Sequence, residues 1–593
     1  MHYILYGKDE GRIIHPIEAS KYQGYAGWVR KYDSLTLNDY DLIHSHIASF
    51  NKRPQISIVL IISEDFKRFD WVKRSISSVI FQIYPHWQLN IFCDSENISK
   101  LEPILMDFGK KTHKITTAYF KTNQDLATNL DEVINSAQGD FYLHLLPGTV
   151  LREHTLYLIA NEINQFPEAE VIYTDEDQLN EKGERSWPFF KPDWNPDLIF
   201  SQNLLSTVAA FKIDSLIRVG GMPSEQNKDI DLSLALHISE VIPSSRIRHI
   251  PHVGAHRLYP KSQTNSKEAH FQTIKSHFDR LGKDITLIQT DSPYWRISYP
   301  VPVPEPLVSI LIPTKNQHDL VKNCLESIRQ KTQYSNYEVL IINNQTEKSE
   351  SSSAFEYIEK EYNARLLDYN HPFNYSAINN FAAQHANGDV FLFLNDDIEV
   401  ISPDWLDEMV SHALRKEIGA VGAMLYFPNN AIQHAGIVLH PDRIAGHAFY
   451  LQARGSHGQN DRARLVQNYS AVTGACMAIE RTKFHQVGGF DEENLPVAYN
   501  DVDLCLKLKL AGYRNLWTPY AELYHYESVT RGLDNTEEKL NRLKMEARYM
   551  IDKWGSYILN DPAYHLNLKS HPFFSLAEPP RAPKPWLSQD SNN

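Results

Sequence analysis

The stretch that decides the fold of this chain is Gly388-Asp389-Val390-Phe391-Leu392-Phe393-Leu394-Asn395-Asp396-Asp397-Ile398-Glu399-Val400. Its apolar run has the length and composition of a buried strand, and it leads directly into an amide and two carboxylates. Open α/β sheets bind ligands at this end of a strand. Hard oxygen ligands there suit a divalent cation such as Mg²⁺, which keeps several waters and bridges to a phosphate. The alternative is an acidic turn without a ligand, so the rest of the chain has to decide.

The residues before this stretch alternate between strand and helix patterns. Strands are predicted at 308–313 and 337–342, and apolar residues at helical spacing follow each of them. Such alternation is typical of a parallel, doubly wound sheet.

The same order of patterns occurs about 250 residues earlier in the chain. Strands are predicted at 56–62, 88–94 and 141–146, and Asp229-Ile230-Asp231 mirrors Asp501-Val502-Asp503. We therefore predict a tandem duplication, an α/β chain with two Rossmann-like domains whose central sheets are mostly parallel.

Composition divides the chain into five segments. The alternating prolines of 299–306 favour an extended, semi-rigid linker, and the polar, proline-rich end favours a mobile tail. The predicted segments are an N-terminal arm packed on the next domain (1–53), a first domain (54–298), the linker (299–306), a second domain (307–565) and the tail (566–593). Thr36 or Asn38 is the expected cap of a helix in the arm.

Composition and charge limit the possible partners and the cellular compartment. The 593 residues carry a net charge of -14, with a pI of about 6.0, so electrostatics gives no reason to expect nucleic acid as the main partner. The four cysteines are far apart, as expected of reduced core residues in a cytosolic protein. No apolar run of about 20 residues occurs, and the first residues lack the pattern of a signal peptide. We expect a cytoplasmic protein whose association with the inner face of a membrane, if any, is peripheral.

Four motifs of the second copy occur in the order of a known family. They are Ile312-Pro313-Thr314-Lys315-Asn316, Asn395-Asp396-Asp397, Gly488-Gly489-Phe490-Asp491-Glu492 and Tyr499-Asn500-Asp501-Val502-Asp503. This copy resembles the family 2 nucleotide-sugar glycosyltransferases of the GT-A fold. The whole chain looks like the two-domain bacterial members that build surface polysaccharides. The resemblance implies two tandem GT-A-like domains and a divalent metal, Mn²⁺ or Mg²⁺, as cofactor.

The resemblance also implies a donor site. In the family, the loop after the first strand lies beside the nucleotide, the turn after the second contacts the base, and the last carboxylate of the acidic motif holds the metal. Asn343 and Asn344 stand where the family often has acids, which leaves the base open. The implied nucleotide contacts are Pro313, Thr314, Asn316, Asn343, Asn344, Asn395, Asp396 and Arg531, and the implied metal ligands are Asp397 and His525.

On the acceptor side the resemblance implies that Asp501 is the general base. Asn500 replaces the family's first acid, and a neutral neighbour removes a charge that would raise the pKa of Asp501. Asp501 should then be a weaker base unless burial compensates. Asp503 is expected either to cap the apolar helix that follows or to take part in catalysis. The segments 433–436 and 446–449 are expected to shape the sugar or acceptor pocket.

The first copy departs from the motif. It has Leu146-Pro147-Gly148-Thr149 in place of the acidic turn, so we predict that this half is catalytically degenerate. Two features keep open the alternative that this half is active. Thr174-Asp175-Glu176-Asp177 follows an apolar strand and could recruit a metal from a different loop. In addition, 191–197 resembles a segment common in active two-domain relatives.

Three functions are compared. The leading hypothesis is an inverting hexosyl- or deoxyhexosyltransferase, active in its C-terminal half, that moves a sugar from a nucleoside-diphosphate sugar to a hydroxyl of a glycan or lipid-linked glycan acceptor. The second is an inactive carbohydrate-binding or assembly protein, suggested by the amides Asn343, Asn395 and Asn500. The third is a nucleotidyltransferase, for which no glycine-rich, basic phosphate loop is found.

Overall fold

The computed structural model describes residues 24–64, 66–109, 112–122, 128–129, 131–132, 134, 139–180, 182–221, 230–258, 267–290, 292–345, 348–526, 536–570 and 573–587. The predicted helix around Leu130 lies largely outside the described residues, as do Asp229 and Arg531.

The N-terminal half contains a large mixed sheet with helices around it. Its strands are β1 (Ile56–Ile62), β2 (Trp87–Asp94), β3 (Ile115–Phe120), β4 (Phe141–Leu145), β5 (Thr149–Leu151), β6 (Val171–Leu179), β7 (Arg185–Phe189), β8 (Ala209–Lys212), β9 (Ile247–Arg257), β10 (Thr286–Gln289) and β11 (Trp295–Ser298). Its helices are α1 (Tyr25–Tyr32), α2 (Leu37–Ala48), α3 (Phe69–Ile80), α4 (Ile98–Gly109), α5 (Thr155–Gln165), α6 (Ile213–Arg218), α7 (Ile230–Val241) and α8 (Lys267–Arg280).

The C-terminal half repeats this arrangement. Its strands are β12 (Val308–Thr314), β13 (Tyr337–Asn343), β14 (Arg365–Asp368), β15 (Val390–Leu394), β16 (Ile398–Val400), β17 (Ile418–Tyr426), β18 (Ile432–His434), β19 (Ile437–His440), β20 (Ile444–His447), β21 (Gln467–Tyr469), β22 (Cys476–Glu480), β23 (Arg514–His525), β24 (Leu568–Ser570) and β25 (Phe573–Leu576). Its helices are α9 (His318–Lys331), α10 (Lys348–Tyr362), α11 (Tyr375–His385), α12 (Trp405–Ala413), α13 (Arg481–Gln486), α14 (Asn500–Leu510) and α15 (Glu537–Leu559).

The two large sheets share one topology. Their orders are β3-β2-β1-β4-β8-β6-β9-β5 and β14-β13-β12-β15-β22-β17-β23-β16. The first four strands of each order pair in parallel, and the remainder combines antiparallel pairs with one parallel pair, β6 with β9 or β17 with β23. Each strand of the first sheet has its counterpart at the same place in the second. The predicted α/β fold class with two tandem domains is confirmed.

Local sequence accounts for several element boundaries. The predicted strand 56–62 is observed with those bounds, and every member of β15 is buried, as its apolar run requires. In the arm, Thr36 caps α2, because its hydroxyl accepts from the Asp39 N–H while its own N–H donates to the Asp39 carboxylate. All four cysteines are free and buried, as predicted. Within the described residues no helix is both long and apolar enough to cross a bilayer.

The last segment differs from its prediction as a mobile tail. Residues 566–570 and 573–587 pack on both halves. The indole N–H of buried Trp586 donates to Asp39 at 2.6 Å, that of Trp28 donates to the Ala577 carbonyl at 2.8 Å, and the ring of Phe574 stacks on Phe449 of the C-terminal half. Proline-rich composition correctly indicates that the segment has no core of its own. It does not reveal that a neighbouring surface supplies one.

The segment 191–197 joins the two halves. The Asn195 amide donates to the Asn468 carbonyl at 2.9 Å, and buried Asp197 forms an ion pair with Arg415 at 2.7 Å. Although burial opposes ionisation, Arg415 and its neighbour Arg514 hold the pKa of Asp197 well below its usual range. This segment is therefore part of the interface between the halves.

The acidic cluster of the first copy lies inside β6 and not in a loop after a strand, contrary to the prediction. Its three carboxylates have six ionic partners at 2.5 to 3.0 Å. The partners are His249 and His565 for Asp175, Lys191 and Arg257 for Glu176, and Arg185 and His256 for Asp177. The three carboxylates are fully buried. Buried charges persist only when paired, and here the partners come from distant parts of the chain.

The described residues do place Asp175, His249 and His565 close enough to hold a metal ion. Their hydrogen bonds indicate that the three side chains bind one another and not a metal ion. Nδ1 of His565 accepts the Asn567 N–H at 2.9 Å, so its Nε2 carries the proton that is donated to Asp175 at 2.7 Å. Both nitrogens of His249 face carboxylates, those of Asp175 and Asp193. The set is therefore satisfied as an ionic network, and the alternative of a metal recruited here is not supported.

This network predicts a pH-dependent stability. Burial lowers the pKa of His249, but the Asp175 carboxylate outweighs it and raises the pKa to about 9 from 6.5. The charged ring therefore stabilises the fold fully below pH 6.5, and this contribution is lost as the pH rises to about 9. We expect a loss of about 3 kcal/mol in the free energy of unfolding over that range, measured with urea. His249→Gln should remove this slope, and an unchanged slope would contradict the assignment.

Asp503 does not cap α14, so the capping prediction for it is wrong, and its carboxylate contacts another helix. The helix begins at Asn500, and the buried Asp503 carboxylate accepts from the Trp554 indole at 2.8 Å and pairs with Lys553 at 2.8 Å. Both partners belong to α15. Asp503 thus attaches α15 to α14.

Asp503→Ala is therefore expected to destabilise the protein by about 1 to 3 kcal/mol, because it leaves the buried Trp554 N–H without its acceptor and Lys553 without its counter-charge. Urea unfolding followed by tryptophan fluorescence measures this. Asp552→Ala is the matched control, since the pair of Asp552 with Arg548 on the same helix is exposed and should change stability by no more than about 0.5 kcal/mol. Equal effects of the two substitutions would contradict the attachment role.

Candidate active site

The acidic turn lies at the edge where the parallel strands of the second sheet end. Asn395-Asp396-Asp397 connects β15 to β16, and Thr314 is the last residue of the adjacent strand β12. The Thr314 hydroxyl donates to the Asp396 carboxylate at 2.7 Å, and both residues are buried. The structure thus brings together two predicted nucleotide contacts that are 82 residues apart in sequence.

Asp397 and His525 meet beside this turn. The pairing of β16 with β23 places Ile398 opposite His525, so the histidine reaches back to the preceding residue. Nε2 of His525 lies 3.1 Å from Oδ1 of Asp397, and both side chains are largely buried.

Gln433 determines which nitrogen of His525 is protonated. Its amide nitrogen lies 3.4 Å from the His525 carbonyl as a donor, which turns the amide oxygen toward Nδ1 of the ring at 2.6 Å. Nδ1 is therefore the donor and Nε2 is unprotonated. The Asn395 amide nitrogen, 3.2 Å from Nε2, is consistent with this tautomer.

The residues present fit a divalent cation. Among the described residues, none donates a hydrogen bond to the buried Oδ1 of Asp397. Two lone pairs, on Oδ1 of Asp397 and Nε2 of His525, therefore face each other across 3.1 Å. Such an arrangement is repulsive unless a cation or proton lies between the atoms. A histidine ligand whose other N–H donates to a fixed acceptor, here Gln433, is the usual arrangement around protein-bound metals.

A cavity of about 340 Å³ opens beside Asp397. Polar residues of α9, Ser327 and Lys331, line it together with Glu399 and Tyr526. Tyr526 donates to Glu399 at 2.7 Å, and Lys331 donates to the same carboxylate at 3.2 Å. The cavity therefore adjoins the turn that carries the predicted metal ligand.

Asp501 lies in the first turn of α14. Its carboxylate accepts N–H groups from Gly474 at 3.0 Å and Val502 at 2.8 Å. Burial raises the pKa of Asp501 above 3.8, although these N–H groups act against the shift. Burial thus compensates for the neutral neighbour Asn500, whose amide donates instead to the Val497 carbonyl at 3.0 Å.

The loop 473–475 contacts both Asp501 and the turn that carries Asp397. The Asn395 N–H donates to the Ala475 carbonyl at 3.0 Å, and the next residue back, Gly474, binds Asp501. Tyr375, at the start of α11, donates to the Gly474 carbonyl at 3.0 Å. Burial raises the pKa of Tyr375, and the charges of Asp501 and Asp397 raise it further. The charges of both carboxylates therefore reach this phenol.

Comparison with known proteins assigns this part of the chain. The family described as glycosyl transferase family 2 matches residues 309–488, which include the acidic turn and the loop 473–475. Residues 309–488 form a family 2 glycosyltransferase domain.

Relatives extend over most of the chain. The O-antigen biosynthesis protein RfbC of Myxococcus xanthus is 33% identical over 540 residues, covering 89% of this chain and 40% of the relative. A protein of Sinorhizobium fredii described as uncharacterized protein y4gI is 36% identical over 553 residues, covering 91% of this chain and 60% of the relative. The chain thus spans 60% or less of either relative.

Solved structures show a weaker likeness. The structure of GalNAc-T7 with UDP, GalNAc and Mn²⁺ aligns with a TM-score of 0.37 and 16% identity, covering 46% of this chain and 52% of that one. The mannosyltransferase PcManGT from Pyrobaculum calidifontis, in complex with GDP-Man and Mn²⁺, aligns with a TM-score of 0.33 and 19% identity, covering 50% of this chain and 78% of that one.

A pair of histidines, buried His434 and half-buried His447, extends the site of the family 2 domain. Nδ1 of His434 and Nδ1 of His447 are 2.8 Å apart. Nε2 of His434 faces the N–H groups of Gly436 at 3.3 Å and Thr473 at 3.5 Å, so it accepts, and Nδ1 of His434 is the donor of the pair. His447 therefore carries its proton on Nε2. The sequence placed both residues in a pocket-forming segment but could not reveal this proton order.

The predicted base-contacting turn of the family 2 domain is mainly occupied by internal contacts. The amide nitrogen of buried Asn344 donates to the carbonyls of Tyr369 at 3.1 Å and His371 at 2.8 Å, which holds that loop in place. The Asn343 amide donates to Asp368 at 2.9 Å. Asp368, which the sequence did not single out, thus brings a carboxylate to the edge where Asn343 itself has none.

The remaining predicted contacts are at the same edge. Pro313 is half-buried in β12, and Asn316 is exposed just beyond it in the left-handed conformation, with a φ of 55°. Arg531 lies outside the described residues. The ligand-binding roles of all these residues stay predictions.

Proposed function

We propose that the C-terminal half transfers a sugar from a nucleoside-diphosphate sugar to an acceptor hydroxyl. The observation that carries the proposal is the shared loop 473–475, which holds Asp501 on one side and the turn with Asp397 on the other. A base and a leaving-group site are the two elements that a single displacement at an anomeric carbon requires.

Asp397 and His525 would hold a divalent cation, with Gln433 orienting the histidine ring. When bound, Mn²⁺ or Mg²⁺ would act as a Lewis acid toward the diphosphate. Thr314 positions Asp396 for the nucleotide, since its hydroxyl occupies one carboxylate oxygen. The cavity beside Asp397 gives space for part of a bound ligand.

On the acceptor side, Asp501 would accept the proton of the attacking hydroxyl. Its pKa, raised by burial, brings its basicity closer to that required near neutral pH. Attack from the side opposite the leaving group would invert the anomeric configuration. His447, with a proton on Nε2, would donate to a sugar hydroxyl or a phosphate oxygen.

The relative with 33% identity, an O-antigen biosynthesis protein, supports a proposal for the acceptor class. We propose a glycan or lipid-linked glycan acceptor, and peripheral contact with the membrane that would carry it. The N-terminal half, with Gly148 in place of the carboxylate Asp397, is proposed not to catalyse transfer.

One assay tests this function. The full chain is incubated with Mn²⁺ and a panel of nucleotide sugars, and release of nucleoside diphosphate is followed with and without acceptor glycans. Acceptor-stimulated release with one donor supports the proposal. Binding of sugar without release would favour a carbohydrate-binding protein, and production of pyrophosphate would favour a nucleotidyltransferase.

A further inference from the structure

The position of the predicted metal site carries the opposite charge in the N-terminal half. In the second sheet, Ile398 at the start of β16 is paired with His525, and Asp397 precedes it. In the first sheet, Thr149 at the start of β5 is paired with Arg257, and Gly148 precedes it. The duplicated topology thus replaces a carboxylate and an imidazole by a glycine and a guanidinium.

Arg257 is buried without sufficient partners. Its side chain is 4% exposed, and its Nε lies 3.0 Å from Glu176 Oε1. Among the described residues, none accepts a hydrogen bond from Nε or Nη1 of Arg257. Buried polar groups are normally hydrogen-bonded, so this guanidinium calls for an acceptor such as a bound anion.

Arg257 does not have the Glu176 carboxylate to itself. Glu176 also pairs with the buried ammonium of Lys191 at 3.0 Å, which donates to the Ser206 carbonyl at 2.9 Å. Among the described residues, Lys191 and Arg257 therefore share the single carboxylate of Glu176. An uncompensated charge in a protein interior is strongly unfavourable.

We infer that the N-terminal half binds a phosphate-bearing anion at Arg257 without a metal ion. The planar guanidinium has five N–H donors and matches the oxygens of a phosphate group. Gly148 contributes no carboxylate that would repel an anion. A carboxylate site such as that of Asp397 needs a cation to bind phosphate, whereas an arginine binds it directly.

The chemical class of the ligand is a diphosphate. This choice rests on the proposed function, because the corresponding position of the C-terminal half is the one proposed for the diphosphate of the donor. The diphosphate could belong to a nucleotide or to a lipid-linked acceptor. In either case the N-terminal half would hold a second phosphorylated ligand.

Calorimetric titration of the full chain in EDTA tests the inference. Inorganic pyrophosphate, UDP and GDP are titrated separately. We expect one metal-independent site per chain that is weakened by salt and lost or about 10- to 100-fold weaker in Arg257→Gln. Pyrophosphate binding as tight as that of UDP or GDP indicates that the diphosphate alone is recognised, as a lipid-linked ligand requires. Tighter binding of either nucleotide indicates a nucleotide ligand.

Arg248→Gln is the matched control, because Arg248 lies on the same strand but is half-exposed and paired with Glu162 at 2.9 Å. It should bind as the unaltered protein does. Arg257→Lys keeps the charge and should retain part of the affinity if Arg257→Gln fails to fold. The absence of binding in EDTA, or equal binding by Arg257→Gln, would overturn the inference. Transferase activity with Mn²⁺ is measured separately, so failure of the proposed function is distinguishable.

Discussion

Replacing Asp501 with asparagine is expected to reduce kcat by about 10²- to 10⁴-fold, the usual contribution of a general base. The amide keeps the size of the side chain, and its carbonyl can still accept the Gly474 N–H that the carboxylate accepts at 3.0 Å. It cannot accept the proton of an attacking hydroxyl. Steady-state release of nucleoside diphosphate in the presence of acceptor measures kcat, and calorimetry should show that donor binding is unchanged.

Asp442→Asn is the control for this substitution. Asp442 belongs to the same half but is exposed, next to His440 and away from the loop 473–475, so kcat should stay the same. If Asp501→Asn retained full activity, another group would have to serve as the base.

The pH dependence of the reaction gives an independent check on Asp501. Because burial raises its pKa above 3.8, and because only the carboxylate is a base, activity should fall as the pH drops through this raised value. The profile of log kcat/KM against pH should therefore bend at a pKa above that of an ordinary aspartate. An acidic limb at or below 3.8 would show that the titrating group is not a buried base.

Local patterns were sufficient to predict much of the fold. The apolar run of β15, the strand 56–62 and the cap at Thr36 depend on residues close in sequence, and the structure has them where expected. The duplication was visible because each half repeats the same order of strands. The regular alternation of strand and helix patterns thus predicted where the strands end, and therefore where the acidic turn lies.

Contacts between distant residues could not be predicted in the same way. The partner of Asp175 in the last segment, His565, is 390 residues away, and Trp586 binds Asp39 across 547 residues. An acidic cluster and a proline-rich end therefore suggested a loop and a mobile tail. Asp503 was misassigned for the same reason, since Trp554 and Lys553 on α15 determine its role.

Within the site, the sequence indicated which residue types were present but not their protons. Gln433 fixes the tautomer of His525 through two contacts that only the structure shows. Its amide nitrogen donates to the His525 carbonyl, and its amide oxygen accepts from Nδ1 of the ring. Tyr375 was not singled out, because a tyrosine at the start of a helix has no distinctive pattern. The structure shows its role through the contact with Gly474.

Asp397→Ala is expected to abolish metal-stimulated turnover, with a loss of about 10²-fold or more, because it removes the charged member of the pair that fits a cation. Removing the metal with EDTA should have the same effect on the unaltered protein, and added Mn²⁺ should restore that protein but not the variant. Manganese binding, followed by electron paramagnetic resonance, and release of nucleoside diphosphate provide two separate measurements.

Gln433→Leu separates a role in orienting His525 from a direct role in binding the metal. The leucine cannot accept the Nδ1 proton that Gln433 accepts at 2.6 Å, so the ring is free to turn or to protonate Nε2. Loss of such an orienting contact typically weakens metal binding about 10- to 100-fold, and excess Mn²⁺ should then recover activity. Asp397→Ala should not recover, because the missing group is itself a ligand. Recovery of both variants, or of neither, would contradict the assignment of Asp397 and His525 as the metal-binding pair.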